Sequence, residues 1–448
     1  MKLSNFNYYF DTHDGLMIFN SLHEKVSVIK TSISANTVLT NSSVLVDYLA
    51  EKRLYFFLQD FYQEETLESV IKKKIKTRLQ NDYLYLKILT TYNCNMACIY
   101  CYENNDFFSR NNICTSLSEE KCDEIIAFAS SIMNEKSLKY IYLSWYGGEP
   151  LLNYKAILNI SKKLISMGYA VYSEITSNLL PLISKSSLID RLKDVNVKMF
   201  AVTLDGHGKY HNYRRPVKNR KKIINEYEET CNLISILSVK FKVTVMLMIN
   251  KENIKQADLI LQDLLNVKNK ANVIIFIGML ENISNCLSDT CKEETISFSE
   301  LANIRCLLYK KFWDAGFPVN LKFLLGMHGT CLALMNNSYV ITPEGYLTKC
   351  PDTIGDDKLY TGLLKNNQEI KFNNSLWTWE LPFKDKKCSS CHLLPACIGG
   401  CNYTYITQKK RNCQFYSDDG INIQNKEAMK FALQYFVLNR LPGMKKYE

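Results

Sequence analysis

The sequence has no apolar run long enough to cross a membrane, and this absence is the first limit on its function. Its start, MKLSNFNYYFDTHDG, also lacks the apolar segment of a secretion signal. We therefore expect a cytoplasmic protein with no membrane partner. The chain shows no internal repeats and no recognised nucleic-acid-binding motif, so we also expect no nucleic-acid partner despite a net charge of +10.

The excess of basic residues, 55 against 45 acidic ones, is concentrated in lysine-rich stretches such as residues 71–78 and 218–222. Such stretches form solvated faces in many proteins. The alternative is that they attract an acidic peptide partner.

The chain does contain 16 cysteines. In a reducing compartment, metal-binding or catalytic roles outrank disulfides. Ten of the cysteines fall into two arrays. The other six are irregularly spaced, and we interpret most of them as small core residues or inert thiols: Cys114, Cys122, Cys231, Cys286, Cys291 and Cys306.

The first array is a CxxxCxxC triplet formed by Cys94, Cys98 and Cys101, just after an apolar stretch. Three thiolates are one short of the four that normally hold a 4Fe–4S cluster, so such a cluster keeps one iron open for an outside ligand. The two gaps allow one short loop to wrap three corners of the cubane. The alternative, a structural zinc site, would require a fourth ligand nearby.

This triplet resembles that of the radical S-adenosylmethionine (SAM) superfamily. The resemblance implies a 4Fe–4S cluster that binds SAM, with Tyr100 near the SAM adenine. The segment WYGGEP resembles the family's GGEP motif, whose backbone meets the methionine amino group of SAM. Glycines there let a backbone come close to a ligand. The residues that match this motif are Gly147, Gly148, Glu149 and Pro150.

Two weaker matches follow along the chain. ITSN resembles the segment that contacts the SAM ribose, although its glycine is missing, and implies Ser177 and Asn178 as SAM contacts. VTLDGHGKYHNYRRP resembles the family's SLDG…HDxxR segment. Arg215 is the candidate for the SAM carboxylate, because a guanidinium suits paired recognition of a carboxylate. We interpret His211 as a structural histidine. The remaining matches are Asp205 and Gly206, and Asn212 replaces the usual Asp.

The second array contains, in order, Cys331, Cys350, Cys388, Cys391, Cys397, Cys401 and Cys413. This order resembles the SPASM domain of peptide- and protein-modifying radical SAM enzymes, which binds two auxiliary 4Fe–4S clusters. The resemblance assigns one cluster to Cys388, Cys391, Cys397 and Cys413. It assigns the other to Cys331, Cys350 and Cys401. The alternative for the array is a pair of zinc sites.

The second auxiliary cluster has no evident fourth ligand, because KFLLGMHGTC before Cys331 contains no further cysteine. Three alternatives stay open: an iron that is free for a substrate thiolate, a distant cysteine such as Cys306, or His328. Asp352, close to Cys350, is a candidate substrate contact.

Six apolar runs alternate with helical segments between residues 83 and 285. This pattern predicts an α/β fold with a partial (β/α)6 TIM-type barrel. Near-continuous apolar runs indicate strands that are covered on both faces. The motifs follow the strands, where such barrels carry their sites. Ser116 is the expected N-cap of the helix after the first strand.

We expect five regions along the chain. Residues 1–82 resemble a winged-helix precursor-recognition domain, in which an exposed strand edge pairs with a leader peptide. The alternative is a structural cap. The other regions are the radical SAM barrel at 83–285, a bridging helix region at 286–325, the SPASM domain at 326–418 and a C-terminal helix at 419–448.

Together the resemblances imply a maturase of ribosomally made peptides (RiPPs), similar to the thioether-forming sactipeptide and ranthipeptide synthases. A 5′-deoxyadenosyl radical would abstract a hydrogen from a precursor peptide, and an intramolecular crosslink would form, with a Cys thioether as the leading product. The implied cofactors are SAM and three 4Fe–4S clusters. The implied partners are a leader-bearing precursor peptide and a reductant such as flavodoxin or ferredoxin.

Three other functions are considered. The first is a carbon–carbon crosslinking maturase. The second is an anaerobic sulfatase maturase that forms formylglycine, although the 93 residues before Cys94 count against it. The third is a scaffold for electron transfer or zinc without catalysis, which the GGEP and ITSN segments disfavour.

Overall fold

The computed structural model describes residues 67–101, 116–218, 225–280, 294–320 and 331–372 without interruption, residue 291, and shorter stretches within 3–58 and 383–433. The chain forms two compact units. The first, called the terminal unit, comprises Met1–Gln80, Leu321–Cys331 and Thr378–Glu448. The second, called the barrel unit, comprises Asn81–Asn320 and Leu332–Trp377. Residues 332–377 thus group with the barrel, whereas the sequence placed them with the later cysteines.

The terminal unit begins with an antiparallel sheet of β1 (Asn7–Thr12), β2 (Gly15–Asn20) and β3 (Lys25–Ile29). Helices α1 (Ala35–Thr40), α2 (Ser43–Glu51) and α3 (Leu67–Leu79) follow. Apolar side chains from β2 and α2, such as Leu16, Ile18 and Leu45, are fully buried in a shared core. The winged-helix resemblance of this region and its recognition of a leader peptide stay predictions.

The barrel unit contains six parallel strands that pair in chain order, as predicted. They are β4 (Tyr83–Thr91), β5 (Tyr140–Gly147), β6 (Val171–Thr176), β7 (Val197–Leu204), β8 (Lys242–Ile249) and β9 (Val273–Met279). The α/β fold with a partial barrel is confirmed. Four further strands extend the sheet beyond β4: β10 (Ser338–Ile341), β11 (Tyr346–Thr348), β12 (Gly362–Lys365) and β13 (Gln368–Lys371).

Helices connect the parallel strands, as the alternating pattern predicts. They are α4 (Glu119–Lys136), α5 (Tyr154–Ser166), α6 (Leu188–Asp194), α7 (Gly208–Arg214), α8 (Glu226–Leu237) and α9 (Ala257–Leu264). The N-cap of α4 is Ser118, whose side chain accepts a bond from the amide of Lys121. The prediction that Ser116 is this N-cap is therefore wrong, and the Ser116 hydroxyl is bonded to Thr91 Oγ1 at 2.8 Å instead.

The predicted bridging helix is α10 (Phe298–Asp314), which opens with a capping box between Ser297 and Glu300. It packs on β9, where Arg305 Nε donates to the Ile277 carbonyl at 2.8 Å and the Tyr309 hydroxyl accepts from the Ile277 amide at 3.1 Å. This packing closes the end of the parallel strand series.

The two faces of the parallel strands differ. On β4, Leu84, Leu86 and Ile88 are fully buried, whereas alternate residues are only partly buried. We call the second face of β4–β6 the inner face; it carries Tyr83, Tyr85, Lys87, Tyr140, Tyr142, Ser144, Tyr146, Tyr172 and Glu174. The second face is less buried than the first and carries many polar groups, which is unusual for a wholly buried strand face.

Among the described residues of 383–433, the terminal unit contains three short helices, α11 (Lys386–Ser389), α12 (Leu394–Cys397) and α13 (Asn402–Gln408), and a pair of two-residue strands, β14 (Tyr416–Ser417) and β15 (Gly420–Ile421). Most of the predicted C-terminal helix lies outside the described residues. No helix in the part of the chain that the structure describes is long and apolar enough to cross a membrane.

Candidate functional site

The three cysteines of the triplet lie on residues 92–101, called the cluster loop, which leaves the carboxyl end of β4. The loop turns sharply because the amide of Asn93 donates to Thr91 Oγ1 at 3.0 Å. Its next contact is with the end of β5, where the amide of Glu149 donates to the Asn93 carbonyl at 2.8 Å. The GGEP segment therefore supports one side of the loop.

The other side of the cluster loop pairs with residues 214–218, called the clamp segment, at the end of α7. The amides of Ala97 and Ile99 donate to the carbonyls of Pro216 and Arg214 at 2.7 and 3.0 Å. The amide of Lys218 donates back to the Asn95 carbonyl at 2.8 Å. Backbone bonds on both sides thus fix the path of the loop, and sequence reasoning did not foresee this pairing.

The thiols of the cluster loop are partly buried. Burial above all, with smaller contributions from Glu149 and Cys98 and against the bond from the Met96 amide, raises the pKa of Cys94 to about 11. Burial also raises the pKa of Cys98, whereas the nearby Arg215 lowers it. Iron binding must therefore displace thiol protons, as it does at thiolate sites in general.

Three thiols on one short loop suit a 4Fe–4S cluster in their chemistry. The charges of Cys94 and Cys98 lie within interaction range of each other. Within the described ranges, no three Cys, His, Asp or Glu side chains are already grouped so that they could hold a metal ion. The assignment of the cluster to Cys94, Cys98 and Cys101 therefore stays a prediction that the donor set supports.

The two glycines of GGEP face the cluster loop. Gly147 has φ +116°, and a Cβ there would lie 2.3 Å from the Thr91 carbonyl oxygen. A Cβ on Gly148 would lie 2.5 Å from the carbonyl oxygens of both Tyr92 and Asn93. The structure thus gives these glycines a role within the chain, because only glycine lets β5 and the loop approach this closely. Their contact with SAM stays a prediction.

Glu149 joins GGEP to ITSN. Its carboxylate is buried and accepts from the amide of Leu151 at 3.0 Å, the hydroxyl of Ser177 at 2.8 Å and the amide of Asn178 at 2.8 Å. Pro150 opens the short 3₁₀ turn Pro150–Asn153 that follows. The sequence-predicted residues of both motifs therefore lie together.

Asn178 also reaches the cluster loop. Its Nδ2 donates to Asn95 Oδ1 at 2.7 Å and lies 3.9 Å from Cys94 Sγ. The amide of Met96 is 3.4 Å from the same sulfur. Ser177 and Asn178 are thus placed beside the first cysteine of the triplet, and their SAM contacts stay a prediction.

Burial raises the pKa of Glu149 to about 7, although three hydrogen-bond donors oppose the shift. The folded chain therefore holds this proton at a pH where the unfolded chain, with the ordinary pKa of 4.5, releases it. Linkage then makes the contribution of Glu149 to the free energy of unfolding fall as pH rises from about 4.5 to about 7.

We expect Glu149→Gln, which cannot titrate, to lack this fall. The measurement is the free energy of unfolding by chemical denaturation at several pH values for both proteins. The gap between the two curves should change across this window. Parallel curves would show that the Glu149 pKa is the same in the folded and unfolded chains.

Arg215 lies at the centre of the site. Its Nη1 donates to the Tyr100 hydroxyl at 2.6 Å and lies 3.6 Å from Asp205 Oδ2. Its charge also acts on Cys98 and Glu149 and lowers the pKa of each. This position supports the prediction that Arg215 holds the SAM carboxylate.

His211 is fully buried, and its Nδ1 accepts from the Asp205 amide at 3.2 Å. Burial, and then the charge of Arg215, hold the pKa of His211 well below its usual range. A neutral imidazole that supports the end of β7 fits a structural role. Asn212, the departure from the family pattern, accepts from the Tyr227 amide at 2.8 Å and so supports the start of α8.

Arg214 is a site residue that the sequence motifs did not indicate. It is fully buried, its Nη1 bonds Glu294 Oε2 at 2.6 Å, and its guanidinium lies 5.3 Å from the ring centre of Tyr100. A buried guanidinium needs such partners. Together with Arg215 it gives the clamp segment two cations that contact Tyr100 of the cluster loop.

Glu174 was also missed, because no motif surrounds it. Its carboxylate accepts from the hydroxyls of Ser144, Tyr142 and Tyr85 at 2.9, 3.0 and 3.3 Å. Lys87 lies in the same row of the inner face, and its Nζ is 4.4 Å from the ring centre of Tyr146. Burial lowers the pKa of Lys87, and the charge of Glu174 opposes this shift. A carboxylate, an ammonium group and tyrosine rings thus share the inner face.

Five of the SPASM-type cysteines lie in the later part of the terminal unit, and four of them are those assigned to the first auxiliary cluster. Burial raises the pKa of Cys397 to about 11, and the neighbouring Cys413 and Cys391 raise it too. The amide of Cys391 donates to the Cys388 carbonyl at 3.0 Å. These contacts bring three of the four within electrostatic range, which suits the first auxiliary cluster.

The second auxiliary set stays a prediction. Cys331 and Cys401 belong to the terminal unit and Cys350 to the barrel unit. Within the barrel unit, Cys350 Sγ lies 3.6 Å from Asp352 Oδ2. His328 lies outside the described residues.

Residues 88–264 match the family model of the radical SAM superfamily. This part of the chain is therefore similar to a radical SAM domain. A 170-residue stretch is 24% identical to an uncharacterized protein of Methanocaldococcus jannaschii, MJ0907. It covers 37% of this chain and 52% of that protein, so the chain spans about half the length of this curated relative.

Solved structures share the fold. The structure of native anSMEcpe with bound AdoMet has a TM-score of 0.56 at 15% identity and covers 79% of this chain and 96% of its own. Native anSMEcpe with AdoMet and the Cp18Cys peptide has a TM-score of 0.55 at 16% identity, with coverage of 79% and 96%. Streptococcus suis SuiB bound to precursor peptide SuiA has a TM-score of 0.50 at 14% identity, with coverage of 93% and 98%.

Proposed function

We propose that this chain is a radical SAM maturase of a ribosomally made precursor peptide and that it closes an intramolecular crosslink, with a Cys thioether as the leading product. The observation that carries the proposal is the SuiB alignment, which spans 93% of this chain and therefore includes nearly all of both units. That relative is bound to a precursor peptide. The anSMEcpe structure with a peptide covers less of the chain.

In this proposal Cys94, Cys98 and Cys101 hold the 4Fe–4S cluster. That cluster and SAM, when bound, supply the 5′-deoxyadenosyl radical that abstracts a substrate hydrogen. The chain itself binds and orients. Arg215 neutralises the SAM carboxylate, and the Glu149 bonds keep the ITSN segment against the cluster loop.

Two auxiliary 4Fe–4S clusters belong to the proposal. Cys388, Cys391, Cys397 and Cys413 would hold one, which agrees with the electrostatic contact of three of them. Cys331, Cys350 and Cys401 would hold the other and leave one iron for a substrate thiolate. The three-stranded sheet at the start of the terminal unit would pair with a leader peptide through a strand edge.

The inner face is proposed as a wall of the substrate site. It combines tyrosine rings, which offer wide amphipathic contact, with the carboxylate of Glu174 and the ammonium of Lys87. Such a surface suits an uncharged peptide segment, because the acid and the base already balance each other.

We expect Glu174→Ala to lower the yield of modified peptide by roughly tenfold or more, because hydroxyl contacts to a charged group are lost and the wall rearranges. SAM cleavage without peptide should be unchanged. The control is Glu252→Ala, which removes a carboxylate from an exposed position. Equal loss of both reactions would place Glu174 in the SAM site instead.

The proposed function is tested by anaerobic co-expression with a candidate cysteine-containing precursor peptide, followed by tandem mass spectrometry. A loss of two hydrogens that maps to a cysteine and an acceptor residue supports a thioether. The same loss between two carbons supports the carbon–carbon alternative. A cysteine or serine converted to formylglycine, or an unchanged peptide, contradicts the proposal.

A further inference from the structure

The hydroxyl of Tyr100 lies inside a buried, hydrogen-bonded set of charged groups. It donates to Asp205 Oδ2 and accepts from Arg215 Nη1 at 2.6 Å. Asp205 is fully buried, and its other oxygen, Oδ1, has no hydrogen-bond partner within the described residues. Both bonding capacities of the phenol are therefore used within the chain.

One face of the Tyr100 ring is also covered. The guanidinium of Arg214 lies 5.3 Å from the ring centre, and Glu294 holds Arg214 at 2.6 Å. A cation over an aromatic face, with its own carboxylate partner, is a stable arrangement in a buried site. A residue of the clamp segment thus holds the Tyr100 ring in place through contacts within the chain.

This hydrogen-bonded set joins the cluster loop to the clamp segment. Tyr100 lies between Cys98 and Cys101, whereas Arg215 follows Arg214, whose carbonyl accepts from the Ile99 amide at 3.0 Å. Arg215 Nη1 bonds the Tyr100 hydroxyl at 2.6 Å, whereas Asp205 Oδ2 lies 3.6 Å away, at ion-pair distance but beyond hydrogen-bonding distance. The Tyr100 hydroxyl therefore makes the shorter of these two contacts with the guanidinium.

We propose that Tyr100 acts through its hydroxyl as a positioning residue, with Asp205 as its anchor, and that it orients Arg215 toward the SAM carboxylate. This inference rests on the proposed radical SAM function. It differs from the resemblance, which implies a contact between the Tyr100 ring and the adenine. The two roles separate cleanly, because phenylalanine keeps the ring and removes only the hydroxyl.

The first test is SAM binding to the reconstituted chain, followed by the change that SAM causes in the electron paramagnetic resonance signal of the reduced cluster. We expect Tyr100→Phe to bind SAM about tenfold more weakly, as the loss of a hydrogen bond to a charged group implies. Tyr100→Leu should be no weaker than the Phe variant. Wild-type affinity of Tyr100→Phe beside weak binding of Tyr100→Leu would overturn the inference in favour of the ring.

The matched control is Tyr169→Phe, which removes an exposed hydroxyl 3.3 Å from Asn134 Oδ1 and should bind SAM as the wild type does. Asp205→Asn and the double variant complete a cycle. If Tyr100 acts through Asp205, the double variant binds SAM no more weakly than the weaker single variant. Additive losses would contradict the anchor.

A second readout does not depend on SAM. Hydrogen exchange of the Ala97 and Ile99 amides, which bond the clamp segment, should be faster in Tyr100→Phe than in the wild type. Unchanged exchange would overturn the anchoring role even if the wild type bound no SAM. Failure of the wild type to bind SAM would instead count against the proposed function.

Discussion

Cys94→Ala loses more than about 100-fold in SAM cleavage after anaerobic reconstitution, since changes to groups that only support a metal ligand already cost 10–100-fold. Cys94 contacts both the cluster loop and the ITSN segment. Its sulfur lies 3.4 Å from the Met96 amide and 3.9 Å from Asn178 Nδ2. In the proposed site, loss of this thiolate would remove one corner of the cluster and one border of the SAM pocket together. The measurement is 5′-deoxyadenosine released per chain.

The matched control for this prediction is Cys122→Ala. Cys122 is a buried thiol of α4 whose pKa burial raises to about 11, as it does for Cys94. The same chemical change there should leave SAM cleavage and iron content near the wild-type values. Full SAM cleavage by Cys94→Ala would overturn the assignment of the triplet.

Gly147→Ala is the second change with a large expected effect. Its Cβ would lie 2.3 Å from the backbone oxygen of Thr91, and its φ of +116° is strained for alanine. A backbone atom cannot swing aside as a side chain can, so β5 and the cluster loop must separate. We expect the free energy of unfolding to fall by about 3 kcal/mol and cluster content to drop with it.

Gly168→Ala separates the clash from the strain. Gly168 also has a positive φ, +90°, but a Cβ there meets no atom within 4 Å. We expect a loss of only about 1 kcal/mol and normal iron content. Chemical denaturation and iron analysis of both variants make the comparison. If Gly147→Ala assembled its cluster as well as Gly168→Ala, the close approach would not govern the loop.

The strands and the bridging helix were predictable because their signals are local. Each of β4–β9 coincides with an apolar run, and α10 begins at a serine three residues before a glutamate. The N-cap of α4 was missed because TSLSEE offers several hydroxyl residues. The Ser116 hydroxyl is bonded instead to Thr91, a residue 25 positions earlier, and no sequence pattern indicates this contact.

The motif residues of the site were also predictable, whereas their supports were not. The backbone bonds between residues 95–99 and the clamp segment join parts of the chain about 120 residues apart, and they depend on how β4 and β7 are placed in the sheet. Backbone pairing leaves little trace in side-chain identity.

The inner face was missed for a different reason. Tyrosine counts as apolar in a strand pattern, so YLYLKIL and KYIYLSWY read as continuous apolar runs. The structure shows alternation instead, with tyrosine hydroxyls turned toward Glu174. A tyrosine fits both a continuous apolar run and an alternating one, because its ring is apolar and its hydroxyl is polar. Only the burial of each residue in the structure distinguishes the two patterns.

The most direct test of the central claim is Mössbauer spectroscopy of the chain reconstituted with ⁵⁷Fe, before and after addition of SAM, with the Cys94→Ala variant alongside. We expect 4Fe–4S clusters in which one iron site changes when SAM is added, and no such change in the variant. A wild-type spectrum that SAM leaves unaltered would contradict a SAM-binding cluster on the loop between Cys94 and Cys101.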